Sequence, residues 1–134
     1  MSTVFETRTA FEPPHGALDT EAALPFYDAV LGAIGYERAF VDGGWAGYGP
    51  KGDPNQNVFV CPPFDGEPAR AGNGIMIAFL APSNETVDAA HAAGLAAGGK
   101  DEGGPGFRPP QSTSFYGAYL RDLTGNKLCV FTRG

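Results

Sequence analysis

An α+β domain, built as two β-α-β-β-β modules that form a curved mixed sheet around a cleft, is predicted by three features of this 134-residue chain. Two segments, starting near Asp19 and Asn84, carry apolar residues at helical spacing. Each is followed by about three short extended runs punctuated by Gly and Pro. A polar, aperiodic stretch from Phe64 to Asn73 separates the two series and reads as a connector. The order strand, helix, three strands therefore occurs twice in one domain spanning 1–134. Module one covers about 1–63, the connector 64–73, and module two 74–134. Strands apolar on one face must bury that face against helices, and a cleft in such a layered fold is a natural ligand site.

In module one, Val4 to Phe11 reads as a strand that stops before Glu12-Pro13-Pro14-His15, because Pro-Pro cannot sit in a sheet interior. From Asp19 to Leu31, the residues Ala22, Ala23, Phe26, Ala29 and Val30 recur at helical spacing, with Asp19 or Thr20 as cap and Glu21 beside the positive helix end. Pro25 lacks a donor and is expected to bend the first turns. The helix should end near Gly32 or Gly35. Three strands follow, over Tyr36 to Val41, Trp45 to Tyr48 and Asn57 to Cys61. Asp42-Gly43-Gly44 supplies the positive φ values of a tight hairpin, and Pro62-Pro63 stops the last strand.

Module two opens with the apolar run Ile75 to Leu80. Pro82-Ser83-Asn84 then leads into a helix bearing Val87, Ala90, His91, Leu95 and Ala96, closed by Gly98-Gly99. A weaker extended piece lies around Lys100 to Phe107. Strands are expected over Ser114 to Leu120 and Lys127 to Thr132, joined by Arg121-Asp122-Leu123-Thr124-Gly125-Asn126.

Composition excludes several classes of function. The formal charge is −6, and the nine basic residues are scattered, whereas phosphate binding needs clustered Lys and Arg. No nucleic-acid partner is expected. An acidic surface favours cationic ligands only weakly. Cys61 and Cys129 form neither a spaced metal pair nor a secreted-type framework, so they read as free buried thiols in a reducing cytoplasm. No apolar stretch approaches the roughly 20 residues of a membrane span, and Met1-Ser2-Thr3-Val4-Phe5-Glu6 lacks the features of a signal peptide. A cytoplasmic protein without a membrane partner is expected.

Several segments carry a family likeness. Phe26-Tyr27-Asp28-Ala29-Val30-Leu31 followed by Gly35-Tyr36, then Gly47-Tyr48-Gly49-Pro50, Pro63-Phe64-Asp65-Gly66, Gly72-Asn73-Gly74, Ile77-Ala78-Phe79, Ala81-Pro82-Ser83 and Val87-Asp88-Ala89-Ala90-His91 occur in order. Tyr116-Gly117-Ala118-Tyr119-Leu120-Arg121-Asp122 before Gly125-Asn126-Lys127-Leu128-Cys129-Val130 is the most specific of them. Over about residues 19 to 132 the chain resembles the glyoxalase/bleomycin-resistance (vicinal-oxygen-chelate) superfamily.

The resemblance implies a cleft in which metal-dependent members hold a divalent ion with His, Glu or Gln from both modules. It also implies that this chain has lost those ligands. Met76 stands where the family often has His, and Cys129 where it often has Glu. The strand-one His falls on Glu12, with His15 nearby in another register. No metal ligand is assigned and no cofactor is expected, although a divalent metal remains chemically possible.

Met76 and Cys129 admit three readings: ordinary packing, a soft-metal pair with His15, or a reactive Cys129 thiol. Glu12, in an apolar cleft, is a candidate general base, and His15 a candidate acid or base. His91 lies in the outer helix layer, where packing or surface roles dominate. Candidate ligand-binding residues are Tyr48, Phe59, Met76, Arg108, Gln111, Ser112, Tyr116 and Cys129. The aromatic residues are suited to stacking a planar ligand. Arg108, Gln111 and Ser112 lie in the long rim loop 103–113 and suit a carboxylate or carbonyl. Trp45 and Tyr48 point to opposite faces of their strand, so one of them faces the cleft.

The expected function is metal-free binding of a small organic molecule. The alternatives are a metal-assisted lyase or isomerase of the glyoxalase type and a resistance protein sequestering a cationic drug. Whether the chain catalyses at all stays open at this level. A homodimer is expected, because small antiparallel modules leave open sheet edges and the family commonly pairs.

Overall fold

The structure is a computed structural model that describes residues 5–8 and 16–134. Module one contains β1 (Phe5–Arg8), α1 (Gly16–Ala33), β2 (Tyr36–Asp42), β3 (Trp45–Pro50) and β4 (Val58–Cys61). Module two contains β5 (Ile77–Leu80), α2 (Asn84–Ala96), β6 (Lys100–Phe107), β7 (Tyr116–Arg121) and β8 (Lys127–Thr132). The β-α-β-β-β order thus appears twice, as the periodicities predict. Each module makes a four-stranded mixed sheet, ordered β1-β4-β3-β2 in one and β5-β8-β7-β6 in the other. β1 runs parallel to β4 and β5 parallel to β8, while the remaining neighbours are antiparallel.

Boundaries moved where local signals were weakest. α1 begins at Gly16, upstream of the expected caps Asp19 and Thr20, and Thr20 is instead buried inside it. Its buried stripe is Ala23, Leu24, Phe26, Tyr27, Val30 and Leu31, whereas Ala22 is exposed. Pro25 lies inside the helix on its exposed side, as does Glu21 four residues earlier, so water can satisfy the carbonyl that proline leaves without a donor. The N-terminus of α2 follows prediction: Ser83 accepts from the Thr86 amide in a reciprocal capping box. Leu95, expected on the packed face of α2, is 36% exposed, and Gly94 takes the buried position.

The hairpin between β2 and β3 turns on Gly43 (φ 60°) and Gly44 (φ 83°), values that L side chains rarely adopt. The core lies between the helices and one face of each sheet. Val58, Val60, Ala46 and Tyr48 supply the first sheet's share, and Phe79, Ala118, Leu120, Leu128 and Val130 the second's. α1 and α2 pack on each other and join the modules. Each sheet consequently keeps one face away from the helices. No helix among the described residues is long and apolar enough to cross a membrane.

Candidate functional site

Strand alternation and register define the two open faces. In module one, Gly47 pairs with both Phe40 and Phe59, and Trp45 lies two residues from Gly47 on the same face. Phe59 is the hub: its ring centroid is 6.5 Å from Phe40 and 6.1 Å from Trp45. Gly47 is required there, since a Cβ would lie within 2.9 Å of the Phe40 ring Cζ. Module two repeats the device. Gly117 pairs with Phe131, whose ring stacks on Phe115 at 5.3 Å and 11°, and a Cβ at Gly117 would meet Phe115 Cε1 at 2.7 Å.

Beside that stack, Tyr119 pairs with Cys129, and Arg121 with Lys127. These four residues share the open face of module two. Arg108, from the rim loop, places its guanidinium 5.7 Å from the Tyr119 ring centroid, and Lys127 Nζ lies 5.6 Å from it. Arg108 is held in place by donating from Nη2 to the Gly104 carbonyl at 2.5 Å. Burial raises the Tyr119 phenol above its ordinary value, the neighbouring Cys129 adds to this, and Arg108 opposes it.

The predicted ligand-binding residues do not converge on one place. Phe59 is on the open face of module one, and Arg108 and Cys129 are on that of module two. Met76 is 44% exposed and precedes β5, and the residue opposite Cys129 is Ala78. Tyr48 and Tyr116 face the helices instead. The Tyr48 hydroxyl donates to Asp28 Oδ1 at 2.8 Å, and burial together with that carboxylate drives its pKa far up. The Tyr116 hydroxyl donates to Asp88 Oδ1 at 2.6 Å. Trp45, rather than Tyr48, is therefore the residue of its strand on the open face. Gln111 is exposed, and the Ser112 hydroxyl is engaged within its own loop by Ser114 at 2.9 Å. Glu12 and His15 lie outside the described residues. His91 is buried against Asp101 at 3.0 Å, and Asp101 is held below the ordinary carboxylate range by the Gly103 amide first and His91 second.

Sequence reasoning missed Lys127 and Phe131. Both follow from strand alternation once Cys129 is placed, since residues 127, 129 and 131 must share a face. A separate cavity of about 310 Å³ lies at the outer edge of β2, where Arg38 makes a bidentate pair with Asp28 at 3.0 and 3.2 Å beneath Tyr36 and Tyr48.

Among solved structures, a glyoxalase/bleomycin resistance protein from Albidiferax ferrireducens T118 is 36% identical to this chain, covering 100% of it and 98% of that protein at a TM-score of 0.78. The chain belongs to the glyoxalase/bleomycin resistance protein family. A glyoxalase-related enzyme from Fulvimarina pelagi, 16% identical, shares the fold over 98% of this chain and 88% of its own at a TM-score of 0.64. So does a glyoxalase/bleomycin resistance protein/dioxygenase family enzyme from Burkholderia phytofirmans PsJN, 18% identical over 99% of this chain and 98% of its own, with a TM-score of 0.63. No family model matches the chain, and no curated protein does.

In this glyoxalase/bleomycin resistance protein, the described side chains of the two open faces make a poor donor set for a divalent ion. Among the described residues, no three of His, Cys, Asp and Glu are grouped to hold a metal. Burial pushes the Cys129 thiol up to about 11 from 9.0, against the opposing pull of Tyr119, Arg108 and Lys127. It therefore stays protonated near neutrality, and two cations stand beside it.

That shift has a measurable sign. Between pH 9 and 11 the native state keeps a proton that the unfolded chain releases, so the stability linked to this thiol is complete below pH 9 and is lost as pH rises through about 11. At pH 8 its thiolate population should be about a hundredfold below that of an unshifted cysteine. Iodoacetamide labelling followed by mass spectrometry should leave Cys61 and Cys129, both buried, unmodified in native protein and label both in denaturant. Labelling of native Cys129 at a free-cysteine rate would contradict this and restore the reactive-thiol reading.

Proposed function

We propose that this family member binds a small, flat organic molecule on the open face of module two, without a metal ion, either sequestering it or acting on it by non-redox chemistry. The observation that carries the reading is the half-buried Tyr119, paired across the strands with Cys129, with two side-chain cations within 6 Å of its ring and the stacked Phe115 and Phe131 on the same sheet. Such a surface combines apolar area for a planar body with a few fixed polar groups for orientation, the usual make-up of a small-molecule site. Cys129, as a neutral thiol, serves as part of the apolar floor. A second copy of the chain is the expected partner. It would cover the open face of module one, where Phe40 and Trp45 otherwise meet solvent, and sedimentation at a monomer mass would contradict this.

Elemental analysis of purified protein, combined with NMR titration, tests the reading. Ni, Zn, Fe and Mn are each expected below about a tenth of an equivalent, since the described residues offer no set of three hard donors to retain them. Planar organic probes are expected to shift resonances of Tyr119, Cys129 and Phe131. Stoichiometric metal that is lost on Glu12→Gln or His15→Ala would overturn the metal-free reading in favour of a metal-assisted lyase or isomerase.

A further inference from the structure

We infer that the molecule bound on this face is an organic anion, its negative group met by Arg108 and Lys127 and its apolar body directed toward Phe131; the inference rests on the ligand site proposed above. The chain as a whole has 15 acidic residues against nine basic ones, so a basic side chain can readily find an acidic partner. Arg121 on this face does so, pairing with Glu102 at 3.0 Å. Arg108 and Lys127 have no carboxylate partner among the described residues, although both are half-buried. A partly desolvated cation without a counter-charge is costly, and an anion arriving beside these cations offsets that cost.

Arg108 is also positioned in advance. Its guanidinium lies across the glycines of β6, where a Cβ at Gly106 would come within 2.9 Å of Nη1 and one at Gly103 within 3.5 Å of Nη2. A side chain at Gly106 would force the guanidinium to shift. The bond to the Gly104 carbonyl uses one of its five donors and leaves the others for a ligand. Phe131 stands two residues beyond Cys129 on β8, about 7 Å along the strand, a distance comparable to the length of a one-ring carboxylic acid. Arg133 adds a third cation near this end, 5.7 Å from the Phe131 ring. The negative net charge of the chain is thus no guide to this site, which would repel a cationic drug.

Benzoate, its neutral counterpart benzamide and its cationic counterpart benzamidine are the probes, titrated into the full chain and its variants at constant ionic strength by NMR. Benzoate is expected to shift Tyr119, Cys129 and Phe131 saturably, with benzamide weaker by about tenfold or more and benzamidine ineffective. Arg108→Gln and Lys127→Met should each weaken benzoate by about tenfold, the usual scale for losing one charge-assisted contact. Either variant suffices if the other fails to fold. Equal binding of benzamide and benzoate at these resonances would overturn the anion inference and leave the ligand site standing. Silence of this face to all three probes would overturn both. Should the cations instead meet carboxylates of a second copy, benzoate will not bind and the double variant will sediment at a lower mass than the parent, which also overturns the inference.

Discussion

Asp122→Ala is expected to destabilise the fold by about 3 kcal/mol and to lower Tm by roughly 10 °C in urea and thermal unfolding. The side chain is only 4% exposed, and Oδ1 accepts from the amides of Thr124, Gly125 and Asn126 at 3.0, 2.9 and 2.9 Å. Oδ2 accepts from Asn126 Nδ2 at 3.0 Å and from the hydroxyl of Tyr27 in α1. One carboxylate therefore shapes the β7–β8 turn and ties module two to the helix of module one. Alanine removes the carboxylate acceptor of five hydrogen bonds at once and opens the seam between modules. Tyr27→Phe removes the seam bond while leaving the carboxylate and its turn in place, and should cost about 1 kcal/mol, which separates the two roles. A loss below about 1 kcal/mol for Asp122→Ala would mean that water replaces the carboxylate and that the clamp contributes little.

The second large effect is expected at the glycines beneath Phe26. This ring is fully buried and sits against both Gly94 of α2 and Gly99 just beyond it. A Cβ at Gly99 would lie 2.5 Å from Phe26 Cε1, 2.8 Å from the Gly94 carbonyl and 3.0 Å from the Arg121 carbonyl. Two of those contacts are backbone atoms, which cannot swing aside, so Gly99→Ala should destabilise by about 3 kcal/mol. At Gly94 the three nearest atoms to the Cβ all belong to side chains, of Leu120, of Val30 at 2.9 Å and of Phe26 at 3.3 Å. Alanine there also gains about 1 kcal/mol of helix propensity, so the net loss should be about 1 kcal/mol. Equal values for the two variants in chemical denaturation would show that the seam yields more easily than its geometry implies.

Both clamps depend on contacts between residues far apart in the chain, and neither was visible in the sequence. Asp122 reads there as one member of a turn, and nothing local announces that Tyr27, 95 positions earlier, donates to it. The candidate site was legible in the same partial way. Arg108 and Cys129 were named from the rim loop and from the family likeness, and both reach the open face of module two. Tyr48 and Tyr116 were named as strand aromatics suited to stacking a planar ligand and turned out to face the helices, where Asp28 and Asp88 accept from their hydroxyls.

The sequence by itself determined the order of the elements, the duplication, the Ser83 cap and the glycine hairpin between β2 and β3. These follow from side-chain periods of 3.6 and 2.0 and from backbone preferences that act over a few residues. Strand alternation sorts residues into two faces, but it does not say which face the helices will cover. Packing decided that, by putting Ala118, Leu120, Leu128 and Val130 under α2 and leaving Tyr119, Lys127, Cys129 and Phe131 on the opposite face. The glycines of β6 then let Arg108 lie beside Tyr119, a closeness set by the approach of a loop to a strand and encoded in no single segment.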